Sequence, residues 1–165
     1  MRGGILTLPG DWVVNQYGGT EGFLGWLAMQ PRFHRMEIAD LGPGELAALG
    51  PNIKRLDALL TRYWLEHFSD DPLRRVHVVY FFESVFDEPP TKFHLHIHLI
   101  PRTEQVGRLL REYPTRSTTP GSAAGINAWR IPKITGSALF PERYRPTDSN
   151  VDAFMTWLRA KLEAA

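Results

Sequence analysis

The 165-residue chain has no cysteine, which excludes disulfides, thiolate metal ligands and a cysteine nucleophile and leaves histidine, carboxylates and hydroxyls to carry any chemistry. It also lacks an excess of charge of one sign. Its 19 basic side chains face 18 acidic ones, and a formal net charge of +1 is too weak a field to draw the chain to nucleic acid or to a membrane surface. No apolar run approaches the ~18 residues that a membrane span needs, and the N-terminal region has no charged segment followed by a long apolar one of the kind that targets a chain for secretion. We therefore expect a cytoplasmic protein. What is present is a 43% hydrophobic sequence of single-domain length, enough for one core of ordinary size.

Two apolar segments, "DWVVNQY" from Asp11 and "GFLGWLAMQP" from Gly22 to Pro31, flank the turn-rich "GGTE" and predict a β-hairpin. From Gly44 onward Leu46, Leu49, Ile53, Leu56, Leu59, Leu60 and Trp64 recur at helical spacing, so a long amphipathic helix is expected, with an irregularity at Gly50-Pro51. The β-branched and aromatic run "RRVHVVYFFESV" reads as a buried or half-buried strand. "FHLHIHLI" reads as a second strand, joined to it by "FDEPPTK". Beyond Arg102 the pattern weakens: residues 113–125 have loop composition, "INAWRI" suggests a short strand, and an amphipathic helix at about 150–163 closes the chain, with Ser149 or Asn150 as N-cap. The order of hairpin, helix, strands and closing helix predicts one α+β domain over residues 1–165 with a mostly antiparallel sheet.

Three of the six histidines stand at alternate positions in "TKFHLHIHLIPR". In a strand, His94, His96 and His98 share one face with successive members about 7 Å apart, and Phe93, Leu95, Ile97 and Leu99 turn to the core. A half-buried strand ordinarily carries Lys, Glu or Thr on its outer face, whereas imidazole suits proton transfer, nucleophilic attack and metal binding near neutral pH. Three readings fit such a row. It is a solvent-facing strand that happens to bear histidines; or a zinc site, with His34, Glu83 or Asp87 as third ligand; or a covalent catalyst in which one imidazole attacks phosphorus while its neighbours fix its tautomer and supply hydrogen bonds.

The stretch "HLHIHLI" followed by "PR" resembles the signature of the histidine triad (HIT) nucleotide hydrolases and transferases. Upstream landmarks of that family match Asn15, Gly25, Pro31, His34 and the pair Asp40-Leu41, so the resemblance covers about residues 11–102 and leaves the 103–165 tail unmatched. It implies a HIT-like fold and a homodimer that needs no metal and no organic cofactor. It also implies that His96 attacks the α-phosphate of a nucleotide to form a nucleotidyl-imidazole intermediate. His98 then matches the position on the phosphate and leaving-group side, His94 a buttressing position and His34 a fourth histidine near the triad. Thr91 matches a phosphate-binding hydroxyl and Asn15 a polar residue near the ribose hydroxyls. Trp26, with Leu27 and Met29, is a candidate for the base pocket. The substrate class implied is a dinucleoside polyphosphate or a nucleoside phosphoramidate.

The chain departs from that family where Gly-Gln usually precedes the hydroxyl residue. Here Pro89-Pro90 removes backbone donors. Glu83 stands where the family tends to place Asn or Gln on the phosphate, and a carboxylate there repels phosphate unless it is protonated, paired with Lys92 or turned away. A domain of this family that binds nucleotides without turning them over is the reading of a different class.

Overall fold

The computed structural model describes residues 3–17, 22–80, 94–112, 135 and 137–164, with only the backbone described at 110–112. Strands Leu6–Leu8 (β1), Trp12–Gln16 (β2), Leu27–Pro31 (β3), Leu73–Tyr80 (β4) and Ile97–Thr103 (β5) form one antiparallel sheet in the order β1-β2-β3-β5-β4. The helices are Pro43–His67 (α1), Glu104–Glu112 (α2) and Asp148–Glu163 (α3). The architecture is α+β with an antiparallel sheet. No helix among the described residues is long and apolar enough to cross a membrane.

The expected hairpin is β2 against β3, from Trp12 opposite Pro31 to Gln16 opposite Leu27. Its second segment is shorter than the apolar run suggests. Residues 23–26 form a turn, closed by Trp26 N–H donating to Phe23 O at 2.9 Å, and β3 starts only at Leu27. Gly25 makes that turn possible, with φ of +80° and a position against α1 where a Cβ would lie 2.7 Å from the Trp64 ring. Its N–H donates to Gln16 Oε1, while the same amide's Nε2 donates to Phe23 O, so a buried glutamine pins the turn to the strand. β1 has no counterpart among the expected elements. It is three residues long, and Gly10 and Asp11, both at positive φ, turn it back onto β2.

Helix α1 runs unbroken through Pro51, where an irregularity was expected. Pro51 is exposed, so its ring stands in solvent, and burial of Leu56, Leu60 and Trp64 holds the helix on the sheet, each large apolar side chain contributing roughly 1.5–3 kcal/mol. Leu46, counted in the apolar stripe, is instead exposed. Asn52 is buried beside that stripe and donates to Pro9 O at 2.9 Å. Trp12 Nε1–H donates to Glu45 O at 2.8 Å, which fixes the face of β2 that meets α1.

Strand β4 lies at the sheet edge, which explains its half-buried and exposed side chains. Helix α2 follows β5 directly in a part of the tail with no expected element: Thr103 Oγ1 accepts from Val106 N and Asp71 Oδ1 from Gln105 N, so two of its first N–H groups are satisfied by side chains. Helix α3 is capped by Thr147, whose hydroxyl accepts from Asn150 N, and not by Ser149 or Asn150. It packs on α1 through Phe154 and Trp157, whose rings lie 4.7 and 5.1 Å from that of Tyr63. The 113–125 loop and the strand expected at "INAWRI" lie outside the described residues.

Candidate functional site

Residues in register across an antiparallel sheet point to the same face. Val14, Met29 and Ile97 form one such line, all buried on the α1 side. The next line is Asn15, Ala28, His98 and Val79, and it points to the opposite face. Asn15 and His98 therefore share a face two strands apart, about 10 Å, with only the small Ala28 between them. His98 is not the outward-facing residue that alternation implied: it is 1% exposed. Trp26 Nε1–H meets its Nδ1 at 2.9 Å, and the Tyr17 ring stands edge-on to it with centroids 4.5 Å apart.

The histidine row is also not a single strand. His94 and His96 precede β5, because the pairing with β3 ends at Ile97 opposite Met29. Instead of joining the sheet, Leu95 N–H donates to Arg35 O at 2.6 Å. That bond ties the histidine segment to the residues after β3, which are themselves held to the start of α1 by the Arg35 Nε to Glu45 Oε2 ion pair at 2.9 Å. The guanidinium first, and then the Gly42 N–H, holds the Glu45 carboxyl below the usual carboxylate range. Through these links His34 comes beside His94, with ring centroids 6.2 Å apart. His96 stands edge-on to His98 at 4.7 Å. Leu95, Ile97 and Leu99 are buried as alternation requires.

His96 Nδ1 lies 3.0 Å from His94 O. A carbonyl oxygen only accepts, so Nδ1 carries the proton, and the neutral ring keeps its lone pair on Nε2. That is the form an imidazole needs to act as nucleophile, base or metal ligand. Burial first, and the neighbouring His96 second, pushes the His98 pKa down to about 3. Burial, then His96 and His34, lowers that of His94. Both are neutral at pH 7.

The site thus brings together His94, His96, His98, Trp26 and Asn15, with His34 at its margin. Trp26 is 3% exposed and lies against His98 and Tyr17. Asn15 Nδ2 donates to Gln16 O at 3.0 Å, while its Oδ1 is buried without a hydrogen-bond partner among the described residues. Thr91, Glu83, Lys92, Asp87 and Pro89-Pro90 lie outside the described residues. Among the described residues no three His, Cys, Asp or Glu side chains are placed to hold a metal ion. Tyr17 was not singled out from sequence, although its place two residues after Asn15 puts it on the same face.

No protein-family model matches the chain, and no curated protein matches it.

Proposed function

We propose that this chain is a HIT-like nucleotide hydrolase or nucleotidyltransferase that acts at the α-phosphate of a nucleotide through a covalent intermediate on His96. The observation that carries this reading is the hydrogen bond from His96 Nδ1 to the His94 carbonyl, which puts the proton on Nδ1 and leaves Nε2 of this half-buried ring as the nitrogen for attack. Nε2 forms a bond to phosphorus as the bond to the leaving-group oxygen or nitrogen breaks, and that atom departs with the electron pair and takes up a proton from solvent. Water or another acceptor then attacks the same phosphorus and releases its proton to solvent, the P–N bond breaks, and His96 Nε2 regains its lone pair. The α-phosphate is anionic, so the site has to supply donors to its non-bridging oxygens, and we assign that task to His98, whose ring stands 4.7 Å from that of His96. The resemblance of residues 11–102 to the HIT family adds the substrate class, a dinucleoside polyphosphate or nucleoside phosphoramidate, and the homodimeric state.

Intact-protein mass spectrometry after a brief acid-free quench, with adenosine and guanosine members of both substrate classes, tests the reading on wild type, His96→Asn and His96→Gly. A nucleoside-monophosphate adduct on wild type alone is expected. Binding without adduct or product from every member would replace it with a nucleotide-binding role.

A further inference from the structure

Sequence alone suggested Trp26 for the base pocket; its position in the fold suits a different task. An indole has one polar hydrogen and no acceptor, so the 2.9 Å contact from Trp26 Nε1 to His98 Nδ1 has only one arrangement: the indole donates and the imidazole nitrogen accepts. With Nδ1 serving as acceptor, the neutral ring has its proton on Nε2. His96 is held the opposite way by the His94 carbonyl, with its proton on Nδ1. Two imidazoles 4.7 Å apart and nearly perpendicular are thereby set in opposite tautomers, one presenting a lone pair and the other an N–H.

We infer that Trp26 is a positioning residue, which holds His98 as a neutral Nε2–H hydrogen-bond donor for the phosphate that His96 attacks. The inference rests on the proposed nucleotidyl transfer for its reaction and on the Trp26–His98 hydrogen bond for its geometry. The surroundings keep the arrangement in place. Tyr17 packs on both partners, 4.8 Å from the Trp26 ring and 4.5 Å from His98, so neither ring can turn without displacing it. The turn at residues 23–26 presents the indole at the start of β3, and Gly25 allows that turn. Protonating His98 on Nδ1 would set two N–H groups against each other in a buried place, and burial already disfavours the charged ring. His98 is therefore a fixed donor. It does not take a proton from an incoming water, and as a neutral imidazole it does not give one up to a leaving group.

The test replaces the Trp26 N–H while keeping its shape. Trp26 is exchanged for β-(3-benzothienyl)alanine, which carries sulfur in place of N–H on the same bicyclic frame, and Trp26→Phe serves as a second variant. Imidazole 15N NMR of the full-length protein, with His98→Asn assigning the resonances, reads the tautomer without reference to activity. Wild type is expected to show an unprotonated Nδ1 and a protonated Nε2 at His98, and the benzothienyl variant a mixture of tautomers. Turnover of a dinucleoside polyphosphate should then fall about 10–100-fold in kcat, the scale on which lost orienting partners act, with KM little changed. A protonated Nδ1 in wild type overturns the inference, and so does a tautomer mixture with unchanged kcat. Absence of any adduct on wild-type His96 removes the reaction itself, a failure that the NMR measurement separates from a wrong tautomer.

Discussion

Acid should unfold this protein through His98, and the size of the effect follows from its burial. An unfolded chain binds a proton on this ring below about 6.5, whereas the folded chain, with the ring 1% exposed, binds one only below about 3. Because the folded pKa is the lower one, the unfolded state takes up the proton first, and stability is lost as pH falls from 6.5 toward 3. Each pH unit inside that window removes about 1.4 kcal/mol, so between pH 7 and pH 5 His98 alone should cost roughly 2 kcal/mol. The perturbation is His98→Asn, whose amide oxygen can still accept from the Trp26 indole. Urea unfolding of both proteins from pH 7 to pH 5 gives the comparison. His94 and His77, whose pKa values are also lowered chiefly by burial, act in the same direction but remain in both proteins. The wild-type midpoint should fall by about 1 M urea more than that of the variant over this range. Parallel pH dependences would refute the reasoning, because His98 would then take up a proton in the folded state at no cost.

Two further substitutions test how the framework holds the site. Gly25→Ala places a methyl 2.7 Å from the Trp64 ring at a φ of +80°, and it should destabilise the fold by about 2–5 kcal/mol, read as a drop in Tm of about 4–20 °C. Pro51→Ala restores a backbone N–H at an exposed position in the middle of α1 and should raise stability by about 1–3 kcal/mol in denaturant melts without changing any property of the histidine site.

Much of the framework was legible because it depends on local pattern. Apolar segments on either side of a turn-rich stretch placed β2 and β3, period-2 alternation placed β5, and the 3.6-residue period placed α1 and α3, since these patterns express a need to bury apolar side chains. What escaped had little apolar signal of its own. β1 is three residues long and is a strand only because β2 lies beside it. α2 starts where Thr103 and Asp71 meet its first N–H groups, and Asp71 is distant in sequence. Asn52 interrupts an apolar stripe for a carbonyl 43 residues away.

The candidate site divides the same way. The spacing of His94, His96 and His98 is a property of the sequence alone, and so is the requirement that Leu95, Ile97 and Leu99 face the core. Which imidazole keeps a lone pair on Nε2 and which keeps a proton there is decided by partners that the chain brings from elsewhere. His96 takes its tautomer from a backbone carbonyl two residues away, in a segment that Leu95 ties to Arg35 and not to a neighbouring strand. His98 takes its tautomer from Trp26, 72 residues away, and its neutrality from burial beneath Tyr17 and Trp26. Residue identity sets what a ring can do, and tertiary contacts select its protonation state, because tautomers of one imidazole differ so little in free energy that a single buried hydrogen bond decides between them.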